Sequence, residues 1–226
     1  MNLRQKIIRI GIFTAGIGFI LGVAIFSYAY FTVGIPDPNK FVNSQSTVIQ
    51  YADGSEIGRL GSENRKILTL AAIPLNMRHA VLAAEDRKFY SESAISPTGI
   101  ARAILNNLGG GSLQGGSTIT QQYAKTAFLT QDRTISRKIK EIVIAIKLGN
   151  QLTKDQILEN YLNTIWFGRG AYGVETAAQV YFGRSVDQLS ISQAAVLASV
   201  LRSPGYYDPA YGESNMKRLQ ARWRYV

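Results

Sequence analysis

One helical stretch sets the fold class, and its sequence is Arg133-Thr-Ile-Ser-Arg-Lys-Ile-Lys-Glu-Ile-Val-Ile-Ala-Ile-Lys-Leu148. At helical spacing, one face of this stretch carries Ile139, Ile142, Val143 and Ile146. The opposite face carries Arg137, Glu141, Ile144 and Leu148. Because a helix that is apolar on both sides lies in a protein interior, the stretch predicts a mainly α domain. Glu141 is then partly buried and pairs with Arg137 one turn earlier.

Helical patterns dominate the rest of the chain. They include two capping boxes, Thr153-Lys-Asp-Gln156 and Ser190-Ile-Ser-Gln193, and Ser96-Pro97 supplies a further helix start. Upstream, Asp53-Gly54 separates two short β-prone runs, which is typical of a β-hairpin. We therefore predict that residues 47–226 form one mainly α domain with a small β-hairpin at its start.

The composition excludes several classes of protein. The 226 residues include no Cys and a single His, which excludes disulfide scaffolds, thiol nucleophiles and zinc sites that need two imidazoles. Apolar residues make up 46% of the chain and charged residues 18%, so the chain is not a disordered one. Any chemistry must rest on carboxylates, hydroxyls, amides and cations.

The N-terminal segment predicts a membrane anchor. Residues 10–35 contain no charged side chain. As a helix that rises about 1.5 Å per residue, they exceed a hydrocarbon core of about 30 Å. Basic residues precede the span, which places residues 1–9 in the cytoplasm and the domain outside it, after a polar linker over residues 36–46. A cleaved signal peptide is the alternative, but the apolar run is long for one and lacks a small-residue cleavage site.

The formal net charge is +10, and the chain beyond the span stays basic. Beside a membrane, this charge predicts contacts with anionic lipid head groups or phosphates. Nucleic acid is the other partner that a basic domain suggests, but an extracytoplasmic location argues against it.

The first candidate site is Val81-Leu-Ala-Ala-Glu85-Asp86-Arg-Lys-Phe89. On a continuous helix, Val81 and Phe89 flank Glu85 one turn either way, and apolar surroundings raise the pKa of a carboxyl group. Glu85 is therefore a candidate general base. The alternative is that Glu85 and Asp86 form a solvated helix end.

The second candidate site is a glycine-rich loop that ends in Gly115-Gly-Ser-Thr-Ile-Thr-Gln-Gln122 and is followed by Lys125. A helix start presents backbone N–H groups to an anion, and the Ser117 and Thr118 hydroxyls can add donors. The alternative is a flexible linker that ends in an N-cap.

The third candidate site is the cationic helix described first. Arg133, Lys138 and Lys140 lie near Glu141 in the sequence, which suggests a pyrophosphate site that contains a carboxylate. A structural ion pair is the alternative.

Together and in this order, these segments resemble the peptidoglycan glycosyltransferases, glycosyltransferase family 51. The matching stretches are Glu85–Phe89, Gly115–Gln122 with Lys125, Arg137–Glu141, Lys154–Asn163 running into Gly168 and Gly173, and Ala177–Phe182. They span most of the chain beyond the predicted anchor, and the anchor also fits the family.

The resemblance implies a lysozyme-like, mainly helical fold that polymerises lipid II at the outer face of the membrane, with inversion and release of undecaprenyl pyrophosphate. It makes Glu85 the general base and places Glu141, as a second catalytic carboxylate, beside the donor phosphates. The residues that it implies in substrate binding are Asp86, Phe89, Arg102, Ser117, Thr118, Gln121, Gln122, Lys125, Arg133, Arg137 and Lys140. It gives no set of metal ligands, and it leaves open whether Mg²⁺ or Mn²⁺ assists the leaving group. It also leaves open partners among cell-division or elongation proteins.

The chain departs from the family pattern at three positions. The family commonly has His and Gly where this chain has Glu92 and Ala94, and Asn where it has Thr126. The first two departures put the local turn in doubt but leave Glu85 in place. The last helical pattern ends without a stop signal, which leaves open whether a transpeptidase domain follows Val226.

Two other functions compete with polymerisation. One is a non-catalytic, membrane-anchored protein that binds the lipid-linked precursor or the divisome, and the presence of both Glu85 and Glu141 argues against it. The other is a lytic muramidase that uses Glu85 as an acid. The cations of the phosphate site argue against a muramidase, because a neutral glycan does not need them.

Overall fold

Helices dominate the computed structural model, which describes residues 3–35, 47–52, 56–60, 67–96, 98–99, 116–129 and 134–226. This confirms the mainly α prediction. The helices in these residues are α1 (Leu3–Thr32), α2 (Leu75–Glu85), α3 (Ile119–Phe128), α4 (Ile135–Gln151), α5 (Lys154–Thr164), α6 (Val174–Phe182), α7 (Ile191–Val200), α8 (Pro204–Tyr207) and α9 (Glu213–Tyr225). Short 3₁₀ turns occupy Leu70–Ala72, Val186–Gln188 and Pro209–Tyr211.

Helix α1 contains the predicted anchor. Its segment Gln5–Thr32 is long and apolar enough to cross a membrane. Residues 3–9, which were predicted to form a separate tail, continue the same helix. The far end of α1 packs against α4, where the Lys147 Nζ donates a 2.6 Å hydrogen bond to the Val33 carbonyl. The predicted linker, residues 36–46, lies outside the described residues.

Two short strands precede the helical core. Strands β1 (Thr47–Gln50) and β2 (Glu56–Leu60) pair in an antiparallel sheet, with Thr47 opposite Leu60. The predicted Asp53-Gly54 turn lies outside the described residues, as does Pro97 of the predicted helix start at Ser96.

The core forms where α2 packs on α7, α3 packs on both α4 and α5, and α9 packs on α7. Its fully buried side chains include Met77, Ile119, Leu158, Tyr161 and Leu197. The predicted capping boxes at the starts of α5 and α7 are confirmed. These contacts fix the end of α2 and the start of α3, which carry the first two candidate sites.

Helix α4 is covered on both of the predicted apolar faces, but not equally. Its buried side chains are Glu141, Val143, Ile144, Ala145 and Leu148, whereas Ile139, Ile142 and Ile146 are half-buried. The face that carries Glu141, Ile144 and Leu148 is therefore buried at all three positions. The opposite face is buried at Val143 and partly covered at its other three positions, so both faces of α4 are packed, but unequally. The predicted pairing of Glu141 with Arg137 is confirmed.

A glycine turn joins α5 to α6. Gly168, Gly170 and Gly173 all have positive φ, and Gly173 approaches the end of α5 closely. A Cβ on Gly173 would lie 2.7 Å from the Asn163 carbonyl oxygen. Only glycine fits this position without a shift of the backbone.

Candidate active site

Glu85 is the last residue of α2. The next residue, Asp86, has φ −158° and ψ 80°, so the chain leaves the helix there. Phe89 therefore lies beyond the helix and not one turn along it, although Phe89 and Val81 are both buried as predicted. The Glu85 side chain is only 10% exposed. Glu85 does lie at a helix end, but the alternative of a solvated carboxylate is wrong.

Each carboxylate oxygen of Glu85 has a partner. Oε2 accepts a 2.9 Å hydrogen bond from the Gln122 Nε2 of α3, and Oε1 accepts a 2.8 Å bond from the Arg222 Nη2 of α9. Burial raises the pKa of Glu85, and the contacts with Gln122 and Arg222 oppose that rise without cancelling it. A buried carboxyl group with a raised pKa is suited to accept a proton near neutral pH.

A tyrosine hydroxyl group orients the Gln122 amide. The Tyr161 hydroxyl of α5 donates a 3.0 Å hydrogen bond to the Gln122 Oε1. Since the amide oxygen is engaged there, the amide nitrogen faces Glu85. Tyr161 is fully buried, so this arrangement is fixed by the core.

Asp86 links α2 to the start of α3. Its Oδ2 accepts a 3.1 Å hydrogen bond from the Ile119 backbone N–H. Burial raises the pKa of Asp86, and the bond from Ile119 opposes the rise. This contact holds Glu85 next to the helix start that the second candidate site predicts.

Thr118 and Gln121 form a third capping box, at the start of α3. The Thr118 Oγ1 accepts the Gln121 N–H at 3.2 Å, and the Gln121 Oε1 accepts the Thr118 N–H at 2.9 Å. The Thr118 hydroxyl also donates to the Ala94 carbonyl at 2.6 Å. The Thr118 hydroxyl and the Gln121 amide oxygen thus serve the fold, although the resemblance implies that both residues bind substrate.

The turn with the departures at Glu92 and Ala94 is held at three points. Besides the Thr118 bond to Ala94, the Lys154 Nζ donates a 2.7 Å bond to the Glu92 carbonyl. The Ala94 side chain packs against Gly149 of α4, where a Cβ would lie 2.6 Å from the Ala94 Cβ. A methyl group at position 94 therefore fits because residue 149 is glycine.

Glu141 lies in the third candidate site with two cations. Its side chain is 3% exposed, and its Oε2 accepts a 2.7 Å bond from the Arg137 Nη1. Lys138 donates to the other oxygen and also to the Ser117 Oγ, at 3.3 Å. Lys138 therefore connects α4 to the start of α3, a role that the sequence did not indicate.

The other predicted cations do not take part in this buried cluster in the described structure. Lys125 on α3 and Lys140 on α4 are exposed. Arg102 and Arg133 lie outside the described residues. Among the described residues, no three His, Cys, Asp or Glu side chains form a cluster that could hold a metal ion.

A cleft of about 710 Å³ opens beside Glu85. Of the predicted site residues, it is lined by Glu85, Asp86, Ser117, Thr118 and Gln122. The predicted site residues that the structure describes outside its lining are Phe89, Gln121, Lys125, Arg137, Lys140 and Glu141. Its other side is formed by the segment from Arg202 through α8 and by α9, which no prediction included.

A family model described as Transglycosylase matches residues 53–226. The chain belongs to the Transglycosylase family. Penicillin-binding protein 1A of Mycobacterium tuberculosis is 43% identical over 94% of this chain and 26% of that protein. Penicillin-binding protein 1A of Escherichia coli is 43% identical over 92% of this chain and 24% of that protein. The chain thus spans about a quarter of the length of the curated relatives it matches.

A crystal structure of penicillin-binding protein 1A from Haemophilus influenzae aligns with 80% of this chain and 17% of that chain. The identity is 24% and the TM-score is 0.40. At that score, the alignment adds nothing to the family assignment, and the lysozyme-like fold stays a prediction.

Two residues of this transglycosylase domain contact the Glu85 network and were missed by sequence reasoning. Tyr161 lies inside one of the stretches that match the family, Lys154–Asn163. A tyrosine hydroxyl group in such a stretch could have been predicted to bind a polar residue of the site. Arg222 lies in the last helical pattern among other basic residues. Nothing in the local sequence there points to a carboxylate 137 positions earlier.

Proposed function

We propose that this transglycosylase domain is a peptidoglycan glycosyltransferase that polymerises lipid II into glycan strands. The single observation that carries the proposal is Glu85, a buried carboxylate with a raised pKa that opens onto the cleft between an amide and a guanidinium group. Membership of the Transglycosylase family supports the same activity.

In the proposed reaction, Glu85 accepts the proton of the 4-hydroxyl group of the acceptor sugar. The hydroxyl oxygen forms a bond to C1 of the donor strand, and the bond from C1 to the pyrophosphate oxygen breaks. Undecaprenyl pyrophosphate leaves with the electron pair, and the configuration at C1 inverts. The bonds from Gln122 and Arg222 favour the ionised form of Glu85, so the buried carboxylate still acts as a base.

The leaving pyrophosphate needs charge stabilisation, which fixed cations provide. We assign this task to Lys125 and Lys140, which are exposed on α3 and α4, together with Arg102 and Arg133. The buried Glu141 neutralises Arg137 and Lys138 and so positions Lys138 against Ser117. Glu141 therefore acts as a positioning residue and not as a proton carrier.

Under this proposal, α1 anchors the domain at the outer face of the cell membrane, with its N-terminus in the cytoplasm. The substrates are lipid II and the growing strand, and proteins of cell division or elongation are further candidate partners. A muramidase would also use a Glu with a raised pKa. The cations of α3 and α4 favour a substrate that carries phosphate.

The test is polymerisation of labelled lipid II in detergent by the wild type and by Glu85→Gln. Polymer from the wild type alone supports both the reaction and the base. Glu213→Gln is the matched control, because Glu213 is an exposed carboxylate on α9 and should leave the rate unchanged. Binding of moenomycin, the phosphoglycolipid inhibitor of the family, should survive in Glu85→Gln. Activity of Glu85→Gln within a few-fold of the wild type would refute its role, and release of soluble muropeptides from sacculi would favour the muramidase.

A further inference from the structure

Glu85 divides the cleft into two sides. Its Oε2 is bound from α3, and its Oε1 is bound from α9. The proposed function uses the α3 side, where Ser117 and Gln122 line the cleft. Apart from the contact of Arg222 with Glu85, it gives no task to the other side, although that side supplies much of the cleft lining.

The α8–α9 side is built from arginine–tyrosine stacks. The Arg218 guanidinium lies 4.1 Å from the ring centroid of Tyr206, and the Arg87 guanidinium lies 4.6 Å from that of Tyr225. All four residues line the cleft, and we call them the Arg–Tyr wall. The two tyrosines remain 49% and 57% exposed, so each ring offers surface to a ligand.

A buried asparagine side chain fixes the position of the Arg218 guanidinium group. Its Nη1 donates a 2.8 Å bond to the Asn215 Oδ1, and the buried Asn215 donates in turn to the carbonyls of Gly205 and Asp208. A guanidinium group has five N–H donors, and this contact uses one of them. Stacking on Tyr206 and the bond to Asn215 therefore orient a planar cation that can bind a carboxylate in bidentate fashion.

Flat aromatic surface beside a guanidinium group suits a ligand that has both a sugar ring and a carboxylate. The tyrosine ring packs against the apolar C–H face of the sugar, and the guanidinium group binds the carboxylate. The lipid-linked precursor has both in its disaccharide-peptide part. Its pyrophosphate, in contrast, is assigned to Lys125, Lys140, Arg102 and Arg133.

The geometry points to the Arg–Tyr wall as the subsite for the disaccharide-peptide part of the substrate, with Arg87 and Arg218 binding carboxylates of the stem peptide. This inference rests on the proposed function and deepens it. The same chemistry could come from the acceptor lipid II or from the donor strand, and the experiment separates these two sources.

The binding arm uses a soluble disaccharide-pentapeptide without lipid or pyrophosphate, titrated by calorimetry into the full chain. A second probe has its peptide carboxylates converted to amides. We expect the wild type to bind the carboxylate form about tenfold more tightly, because the charge-assisted bonds are lost in the amide. Arg218→Gln should lose most of this discrimination, and Arg218→Lys should recover only part, since an ammonium group cannot bind in bidentate fashion.

The matched control is Arg184→Gln, which removes an exposed arginine that is not in the cleft lining. It should bind both probes like the wild type. Thermal unfolding of each variant shows whether it is folded. Equal affinity of the wild type for the two probes would overturn the inference, as would unchanged discrimination in a folded Arg218→Gln. Displacement of the probe by inorganic pyrophosphate alone would also overturn it, because the wall would then be a phosphate site.

The kinetic arm measures the KM for acceptor lipid II at a fixed concentration of elongated donor strand. It then measures the KM for the donor strand at a fixed concentration of lipid II. A higher KM for lipid II in Arg218→Gln assigns the wall to the acceptor, and a higher KM for the strand assigns it to the donor. No change in either KM would contradict the inference. If the wild type makes no polymer but still prefers the carboxylate probe, the proposed function fails while the subsite stands. If it makes polymer without that preference, only the subsite fails.

Discussion

Glu85 and Arg222 lie 137 positions apart in the sequence, and their Oε1 and Nη2 atoms are 2.8 Å apart in the fold. The Arg222 guanidinium is itself held, because its Nε donates to the Ser199 carbonyl at 3.1 Å and its Nη2 to the Ala84 carbonyl at 3.3 Å. The last helix therefore places a fixed positive charge against the proposed base. The charge lowers the pKa of Glu85 against the larger effect of burial.

The first prediction concerns that charge. In Arg222→Gln the pKa of Glu85 should rise further, because burial remains while the opposing charge is lost. A higher pKa leaves less of the base ionised at a given pH. The acid limb of the kcat/KM profile for polymerisation should therefore move to higher pH, with a smaller change well above the limb.

Arg222→Lys is the control for this shift, since it keeps a positive charge with a different shape. Its acid limb should stay closer to that of the wild type. A uniform loss of rate at all pH values in Arg222→Gln would mean that Arg222 serves packing or substrate binding and does not tune Glu85.

The second prediction concerns the hydroxyl group that orients Gln122. In Tyr161→Phe the Gln122 amide loses its 3.0 Å partner and can rotate its oxygen toward Glu85. We expect kcat to fall about tenfold, the factor that corresponds to about 1.4 kcal/mol of lost orientation, with little change in KM. Tyr123→Phe is the matched control, because Tyr123 is also a buried tyrosine of the core. Equal kcat values in the two variants would show that the Gln122 orientation is irrelevant to the reaction.

The third prediction separates the structural and chemical roles of Glu141. Glu141→Gln removes the negative charge that two cations share in a buried position. Because Arg137 and Lys138 keep some contact with solvent, we expect a loss of about 2 kcal/mol in the free energy of unfolding, below the full cost of breaking a buried pair. Urea denaturation gives this value, and Glu213→Gln, which breaks an exposed pair on α9, should show no measurable change. An unchanged free energy of unfolding in Glu141→Gln would show that the negative charge of Glu141 does not stabilise the fold, so that any role of that charge lies in the reaction.

Local patterns predicted local structure. The capping boxes at Thr153 and Ser190 and the pairing of Glu141 with Arg137 depend on spacings of three and four residues, which the sequence shows directly. Thr118-Ile-Thr-Gln121 has the same capping spacing. The N-cap at this helix start was given as the alternative interpretation and is confirmed, whereas the reciprocal bond from Gln121 could have been predicted and was not. The burial of Glu85 was also predictable from Val81 and Phe89, although the helix ends before Phe89.

The sequence could not show which residues far apart along the chain contact one another. Periodicity identified two apolar faces on α4, but it does not say which face is buried at every position and which is only partly covered. The contacts of Glu85 with Arg222, and of Gln122 with Tyr161, join helices that are distant in the sequence. They follow from how α2, α3, α5 and α9 pack, and no spacing within a single segment encodes that packing.

The fourth prediction tests the glycine turn between α5 and α6. Gly170 and Gly173 have φ values of +70° and +80°, so alanine at either position strains the backbone. The strain is larger at Gly173, because its ψ of 153° places it in a region essentially confined to glycine. At Gly170 nothing lies within 4 Å of the added Cβ, whereas at Gly173 it would meet the Asn163 carbonyl oxygen at 2.7 Å.

Asn163 cannot easily yield to that contact. Its side chain bonds both the N–H and the carbonyl of Leu68, at 2.9 and 2.8 Å. Gly173→Ala must therefore shift the end of α5 or break those bonds. We expect it to lower the free energy of unfolding by about 2 kcal/mol more than Gly170→Ala does, as measured by urea denaturation of the two variants. Equal losses would show that the α5 end moves freely, and the link from Tyr161 on the same helix to Gln122 would then be less rigid than the hydrogen bonds indicate.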